Sequence, residues 1–346
     1  MLLSCDNCEP KDKKLIYMSK LKTAVVGVGA LGRHHLRWMS QLTDSELIGV
    51  YDIDQTRCQE YAEEYKIKAF ETLENLADEV DAVSIVVPTT AHYEIASKLI
   101  KAGVHCLIEK PVTLNIEQAQ ELITLAEQSQ VKVTVGQIER FNPAVIALTK
   151  TNLNPSFIEA HRLAGFDPRG TDVAVILDLM IHDIDLVLSF VKSNIKDIQA
   201  SGVAVISDRI DIANARLTFE NGCVANLTAS RISLNPMRKL RLFQKSGYYS
   251  LDLQKKQADM YSLASQDETA EGFRMPLGKS GKDVIYNKIE DNGVDMLGAE
   301  LASFLKAIKE DSDVAVSVYQ ASEALRVALQ VEKICMDSLK LHGEIS

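Results

Sequence analysis

The chain has 346 residues, 46% of them hydrophobic and 25% charged, enough for two globular domains with sizeable cores. A formal net charge of −10 disfavours an extended nucleic-acid or anionic-membrane surface, and no apolar run approaches the ~18 residues of a membrane span. Six cysteines at positions 5, 8, 58, 106, 223 and 335 are too scattered for a disulfide framework and point to a reducing, cytoplasmic compartment.

Residues 1–20 read as a disordered tail. Met1-Leu2-Leu3 is too short for a signal segment, Cys5-x-x-Cys8 has no second pair, and Met18 stands as a second candidate start. From Leu21 to about Phe141, strand-like and helix-like segments alternate, as in a parallel sheet covered by helices. Ala24–Val26 is the first strand, Arg33–Gln41 a helix, and Leu47–Tyr51 a second strand. Lys68–Phe70, Ala82–Val87, His105–Glu109 and Val131–Val135 follow as strands. Between them lie helices at Thr72–Ala77, capped by Thr72, at His92–Ala102 and at Ile116–Ser129. The pattern then changes, and residues 142–340 read as an α+β domain. Phe157–Ala164 is a strand, and Asp172–Val191 a long helix capped by Thr171 or Asp172. Strands follow at Ile198–Ile206, Ile212–Phe219, Cys223–Ser230, Lys239–Gln244 and Tyr248–Leu253. Glu220-Asn221-Gly222 and Lys245-Ser246-Gly247 are hairpin turns, residues 264–282 a polar mobile loop, and Val294–Lys309 and Ser317–Leu339 closing helices. The expected fold class is an α/β Rossmann domain plus an α+β domain with a large, mostly antiparallel open sheet.

Three clusters bear chemistry. The first is Gly27-Val28-Gly29-Ala30-Leu31-Gly32 between strand and helix, with Asp52 twenty residues on at the end of the next strand. Gly27 permits the tight turn, Gly29 lets a pyrophosphate approach the backbone, and Gly32 allows close helix packing. The helix N-terminus offers N–H groups to the phosphates. Asp52 accepts from the adenosine ribose hydroxyls and repels a 2′-phosphate, which favours NAD over NADP. The second cluster is Glu109-Lys110-Pro111 at the carboxyl end of a strand, where open α/β sheets place ligands and a lysine can stabilise developing alkoxide charge. The third is Asp178 and His182, one helical turn apart, a candidate carboxylate-supported general base. The same pair also suits half of a metal site or a buried histidine satisfied by its neighbour. With no second histidine pair at ligand spacing, no catalytic metal is expected.

In this order the three motifs resemble the glucose–fructose oxidoreductase / inositol dehydrogenase (GFO/IDH/MocA) family. So does Pro88-Thr89-Thr90-Ala91-His92, like that family's P-x-x-x-H loop along the cofactor. The resemblance spans residues 21 to 340 and implies NAD as cofactor. Lys110 would bond the reacting hydroxyl, His182 would take its proton, and Asp178 would bind a neighbouring hydroxyl or orient the histidine. Beyond the fingerprint, it implies cofactor contacts at Ala30, Leu31, Arg57, Pro88, Thr89, His92, Glu109, Lys110 and Gln137. Within the family, Gly136–Pro143, Arg169–Asp172 and Asp178–Asp185 resemble the UDP-N-acetylglucosamine 3-dehydrogenases. That likeness implies oxidation of a UDP-sugar 3-hydroxyl, serving lipid A-type or other glycan synthesis with a pyridoxal-phosphate aminotransferase as pathway partner. A diphosphate substrate needs local cations. Of Arg140, Arg162, Arg169, Arg231, Arg238 and Arg241, the sequence favours Arg140 and Arg169. A free sugar, inositol or other polyol is the alternative substrate, and a non-catalytic nucleotide-binding regulator the alternative of another class. The family's usual pairing through the second domain's open sheet implies a homodimer or homotetramer. Val224, Leu227 and Ala229 are the expected apolar residues of that face.

Overall fold

The computed structural model describes residues 19–167, 173–265, 271–278 and 280–341. They form two compact units that interleave along the chain. The first takes residues up to Glu109, Glu121–Gly136 and Leu297–Ser317; the second takes Lys110–Gln120, Gln137–Met296 and the chain from Val318. The chain thus crosses between the units several times.

In chain order the first unit begins with β1 (Leu21–Val26), α1 (Gly32–Met39), β2 (Ser45–Tyr51), α2 (Gln55–Tyr65), β3 (Lys68–Ala69) and α3 (Leu73–Ala77). β4 (Ala82–Ile85), α4 (Thr89–Lys101), β5 (His105–Glu109), α5 (Ile116–Ser129) and β6 (Val133–Gly136) follow. The six strands are all parallel, in the order β3-β2-β1-β4-β5-β6. β4 and β6 are buried along their whole length, as expected for strands covered on both faces. Thr72 Oγ1 accepts the Asn75 N–H and caps α3 as the sequence indicates. A late segment belongs here because it packs here. A Cβ on Gly298 would lie 2.9 Å from the Trp38 ring, and the Val316 carbonyl accepts from Val135 N and Thr134 Oγ1.

The second unit opens with a 3₁₀ turn at Ile138–Phe141 and the short helix α6 (Pro143–Thr149), which sequence reading missed. After β7 (Phe157–Leu163) comes a π-helical turn at Ile176–Met180, continued by α7 (Ile181–Phe190). The strands β8 (Ile195–Val203), β9 (Ile212–Phe219), β10 (Val224–Ser230), β11 (Met237–Gln244) and β12 (Gly247–Asp252) follow. β13 (Gln257–Ser265), β14 (Phe273–Pro276) and β15 (Lys282–Ile289) complete the sheet. Two helices close the chain: α8 (Met296–Lys309), of the first unit from Leu297, and α9 (Val318–Leu341), of the second. The nine-stranded sheet runs β14-β15-β13-β12-β11-β7-β10-β9-β8 and is antiparallel except between β7 and β10. One face packs on the π turn, α7 and α9 to make the core.

Several expectations are corrected. β8 starts and ends three residues earlier than the sequence suggests. Asp211 Oδ2 accepts the N–H groups of Val205, Ile206 and Ser207, which draws that stretch out of the ladder into a loop. The supposed loop 264–282 contains β14 and the ends of β13 and β15. Leu227 and Ala229 do not lie on the open face. They alternate with Asn226 and Thr228 and are buried in the core. Val224 does lie on the open face of β10, half-buried opposite Phe157, and the rest of that face is polar, with Thr228 Oγ1 accepting from Asn214 and Asn226 Oδ1 from Arg216. An aromatic row lies across the sheet instead. Phe157, Phe243, Tyr248, Tyr261 and Tyr286 pair in register on β7, β11, β12, β13 and β15, with ring centroids 4.8–5.8 Å apart. The four described cysteines are buried and free. Among the described residues, no helix is long and apolar enough to cross a membrane.

Candidate active site

The first unit forms the dinucleotide cradle. Gly27 has φ +89°, and a Cβ there would lie 2.4 Å from the Val86 carbonyl; on Gly32 it would lie 1.9 Å from the Gly27 carbonyl. On Gly29 a Cβ would meet no protein atom within 4 Å, so that side of the turn is open to a ligand. Ala30 and the exposed Leu31 continue this turn into α1. Asp52, at the end of β2, is 5% exposed. Its Oδ2 accepts the Val28 N–H at 2.8 Å and its Oδ1 the Asp54 N–H at 2.9 Å. The carboxylate therefore fixes the glycine turn and keeps lone pairs for ribose hydroxyls. Arg57, one turn into α2, pairs with Asp54 at 3.1 Å and approaches Asp52 at 3.6 Å. An open glycine turn, a helix N-terminus and an acid after the second strand fit a bound NAD.

The remaining cofactor candidates are held locally. Pro88 precedes α4 and Thr89 is its first residue. His92 is buried and donates Nε2–H to the Val87 carbonyl at 2.9 Å, tying the helix to its own lead-in turn. Glu109 Oε1 stands 3.1 Å from Nε2 of the buried His35, whose Nδ1 meets Ser84 Oγ at 2.7 Å. Gly136 has no Cβ because Glu109 occupies that space.

The second unit assembles the candidate catalytic groups. Lys110 Nζ donates to the Asp178 carbonyl at 2.7 Å and lies 3.3 Å from Asp178 Oδ1. Lys110 precedes a cis peptide bond to Pro111. Asp178 lies inside the π turn, where Ile181 N–H bonds back five residues to Ile176. The wider turn replaces the simple i, i+4 facing that the sequence suggests for Asp178 and His182. Asp178 thus holds the lysine, and the histidine has another partner. His182 Nδ1 is 3.2 Å from Gln137 Oε1. An amide oxygen only accepts, so the proton is on Nδ1 and Nε2 keeps its lone pair. Burial, followed by the nearby charges of Lys110, Arg162 and Arg238, holds the His182 imidazole well below the ordinary histidine value and therefore neutral. Gln137, which the resemblance implies as a cofactor contact, is 2% exposed, and its Oε1 accepts from His182.

Arg140, favoured as a substrate cation, is committed elsewhere: its Nη2 donates to Asp185 Oδ1 at 2.9 Å, and its Nε to Oδ2. Arg169 lies outside the described residues. Sequence reading missed a buried ionic triad beside the histidine. Arg162, 3% exposed, donates to Asp183 through Nε at 3.0 Å and Nη2 at 2.8 Å, and to Glu139 through Nη1 at 2.9 Å. Its signal was the alternation of β7, which puts Arg162 on the same face as Ile158 and Ala160. Arg231 is likewise buried, bonded to Asp211 and to the Val173 carbonyl that leads into the π turn.

The chain is similar to known proteins along most of its length. Residues 21–137 match an oxidoreductase family with an NAD-binding Rossmann fold, and residues 159–249 match the GFO/IDH/MocA C-terminal domain. A UDP-N-acetylglucosamine 3-dehydrogenase of Acidithiobacillus ferrooxidans is 39% identical over 320 residues, 91% of this chain and 97% of that protein. A solved structure of such an enzyme from the same organism superposes with a TM-score of 0.82 at 37% identity, covering 92% of this chain and 98% of that one. A myo-inositol 2-dehydrogenase of Thermotoga maritima is 23% identical over 332 residues, 90% of this chain and 96% of that protein. With the dinucleotide turn in one unit and lysine, aspartate and histidine gathered in the other, the chain belongs to the GFO/IDH/MocA family of NAD-binding oxidoreductases.

Proposed function

We propose that the protein oxidises a hydroxyl of a sugar nucleotide to a ketone, and that the substrate is UDP-N-acetylglucosamine, reacting at its 3-hydroxyl. The observation that carries this reading is a cation and a neutral base in one cluster: Lys110 fixed by Asp178, and His182 with its Nε2 lone pair unprotonated. The 39% identity to a UDP-N-acetylglucosamine 3-dehydrogenase supports the substrate.

Bound NAD, held by Gly27–Gly32 and Asp52, supplies the two-electron acceptor. This chain's residues do the rest. Lys110 Nζ donates to the reacting oxygen and stabilises the charge that develops as its O–H bond breaks. His182 Nε2 takes that proton, and Gln137 Oε1 accepts from Nδ1–H as the ring becomes imidazolium. Asp178 holds Lys110 in place while the carbon loses hydrogen with its electron pair and becomes a carbonyl carbon.

The ketone product suits a pyridoxal-phosphate aminotransferase as the next enzyme, which would place the reaction in the cytoplasm at the start of an amino-sugar branch of lipid A-type or other glycan synthesis. The aromatic row on the open sheet face, with Phe243 37% exposed and with Phe273 of β14, 67% exposed, in register with Tyr286 at its end, is the surface through which two copies would pair. Sedimentation as a monomer would refute that pairing. The function is tested by following nicotinamide reduction with NAD and UDP-N-acetylglucosamine, with an aminotransferase trap to draw the equilibrium forward. Reduction that needs the sugar nucleotide is expected. Turnover of inositol or a free hexose alone would overturn the substrate and keep the chemistry.

A further inference from the structure

We propose that Arg238 is the residue that binds the diphosphate of the substrate, an inference that rests on the sugar-nucleotide reading above. The register of the sheet places it. Arg238 on β11 pairs with Arg162 on β7. Both stand on the face that carries Leu240, Leu242, Ile158 and Ala160 into the core. Arg238 is at the end of its strand, where that face opens, and its side chain is 50% exposed. It is also beside the base. Glu139, two residues along the 3₁₀ turn from the Gln137 that holds His182, lies 3.9 Å from the Arg238 guanidinium.

Its availability distinguishes it from three other arginines of the second unit. Arg140 forks onto Asp185, Arg162 onto Asp183 and Glu139, and Arg231 onto Asp211. Among the described residues, the one anion near Arg238 is Glu139 Oε1, and that oxygen already accepts from Arg162 at 2.9 Å. Arg162 also covers Asp183, so the buried carboxylates are answered without Arg238. Its fork can therefore take a phosphate pair without breaking an internal hydrogen bond, at the expense only of the long approach to Glu139, and a planar fork matches two phosphate oxygens where a lysine offers a point charge. The proximity is also felt electrostatically, since Arg238 is among the cations that lower the His182 pKa.

The test uses wild type, Arg238→Gln and Arg238→Lys as full-length protein. Steady-state rates are measured with UDP-N-acetylglucosamine, and binding of UDP alone to the NADH-loaded protein by calorimetry. For Arg238→Gln, the KM for the sugar nucleotide and the Kd for UDP should both rise by about tenfold to a hundredfold. The KM for NAD should be unchanged, and Arg238→Lys should recover part of the loss. Far-UV circular dichroism melts check the fold, and the lysine variant keeps the test alive should the glutamine variant melt early. Wild-type values of KM and UDP Kd in a folded Arg238→Gln would overturn the assignment and leave the proposed function standing. Wild type that binds UDP through Arg238 but does not oxidise UDP-N-acetylglucosamine would support the diphosphate site and overturn the substrate. Wild type that does neither overturns both.

Discussion

Arg162→Met should unfold the second unit's core from beside the base. The guanidinium is 3% exposed and donates three bonds of 2.8–3.0 Å to Asp183 and Glu139, each 4% exposed. Methionine fills much of the space but answers neither carboxylate. Glu139 keeps the Asn142 amide at 3.1 Å, while both carboxylates lose their buried counter-charge. Breaking a buried pair by removing one partner costs about 3–5 kcal/mol, two to three and a half powers of ten in the folding constant. The sign of the pH dependence follows. Burial already raises the Asp183 pKa against the pull of Arg162. Without the arginine the folded-state value rises further above the unfolded one, so the folded variant binds a proton that the unfolded chain does not. The deficit against wild type should be largest at pH 7 and shrink toward pH 5. Urea unfolding followed by far-UV circular dichroism at both pH values measures it. Adding Asp183→Asn should recover part of the loss. A cost below about 1 kcal/mol at pH 7, or one indifferent to pH, would refute the reasoning.

Other perturbations separate binding, chemistry and folding. Gly29→Ala should leave the melting temperature alone and weaken NAD binding, whereas Gly32→Ala, whose Cβ meets a carbonyl at 1.9 Å, should cost about 1–3 kcal/mol of stability in the absence of cofactor; equal melts for the two variants would contradict this. Gln137→Met should lower kcat and spare the KM for NAD, and nitrogen-15 spectra of His182 should change from an Nδ1–H tautomer to a mixture; an unchanged spectrum would remove Gln137 from its role. Lys110→Met should abolish turnover with NAD affinity retained, and the His182 pKa, read by NMR titration, should rise because one of the cations lowering it is gone. His105, whose Nδ1 accepts the Lys132 N–H, is held down to about 4 by burial. Its contribution is full above the unfolded value near 6.5 and declines as pH falls toward 4, so stability should drop by up to about 3 kcal/mol more in wild type than in His105→Asn across that window.

The parallel domain was legible because each of its signals is local. The glycine turn, Thr72, and the buried runs of β4 and β5 each specify their own few residues. The second unit was legible only where turns announce it. The two residues between Gln244 and Gly247 close one hairpin as expected, whereas the four residues of β14 sit inside the polar, glycine-bearing stretch 264–282 that reads as loop. Leu227 and Ala229 were put on the wrong face because an apolar residue in a strand of period two does not say which side the helices cover. At the candidate site, residue types were readable and partners were not. Asp178 and His182 fit a helical turn by spacing, yet a π turn gives Asp178 to Lys110 and leaves His182 to Gln137, forty-five positions away. Arg140 reads as a substrate cation by sequence, and only the fold shows that it forks onto Asp185, forty-five positions away.

The indole of Trp38 is the one tryptophan in the chain, and it is pressed against the backbone of Gly298 in the first unit. Several tyrosines, among them Tyr248, Tyr261 and Tyr286, belong to the second. Selective excitation of the indole therefore makes its emission a private reporter of the unit that holds the dinucleotide turn. Detachment of the Leu297–Ser317 segment would be visible as a red shift while the tyrosine signal stayed constant. Indole emission thus follows the first unit's share of a denaturation curve, without any label being attached.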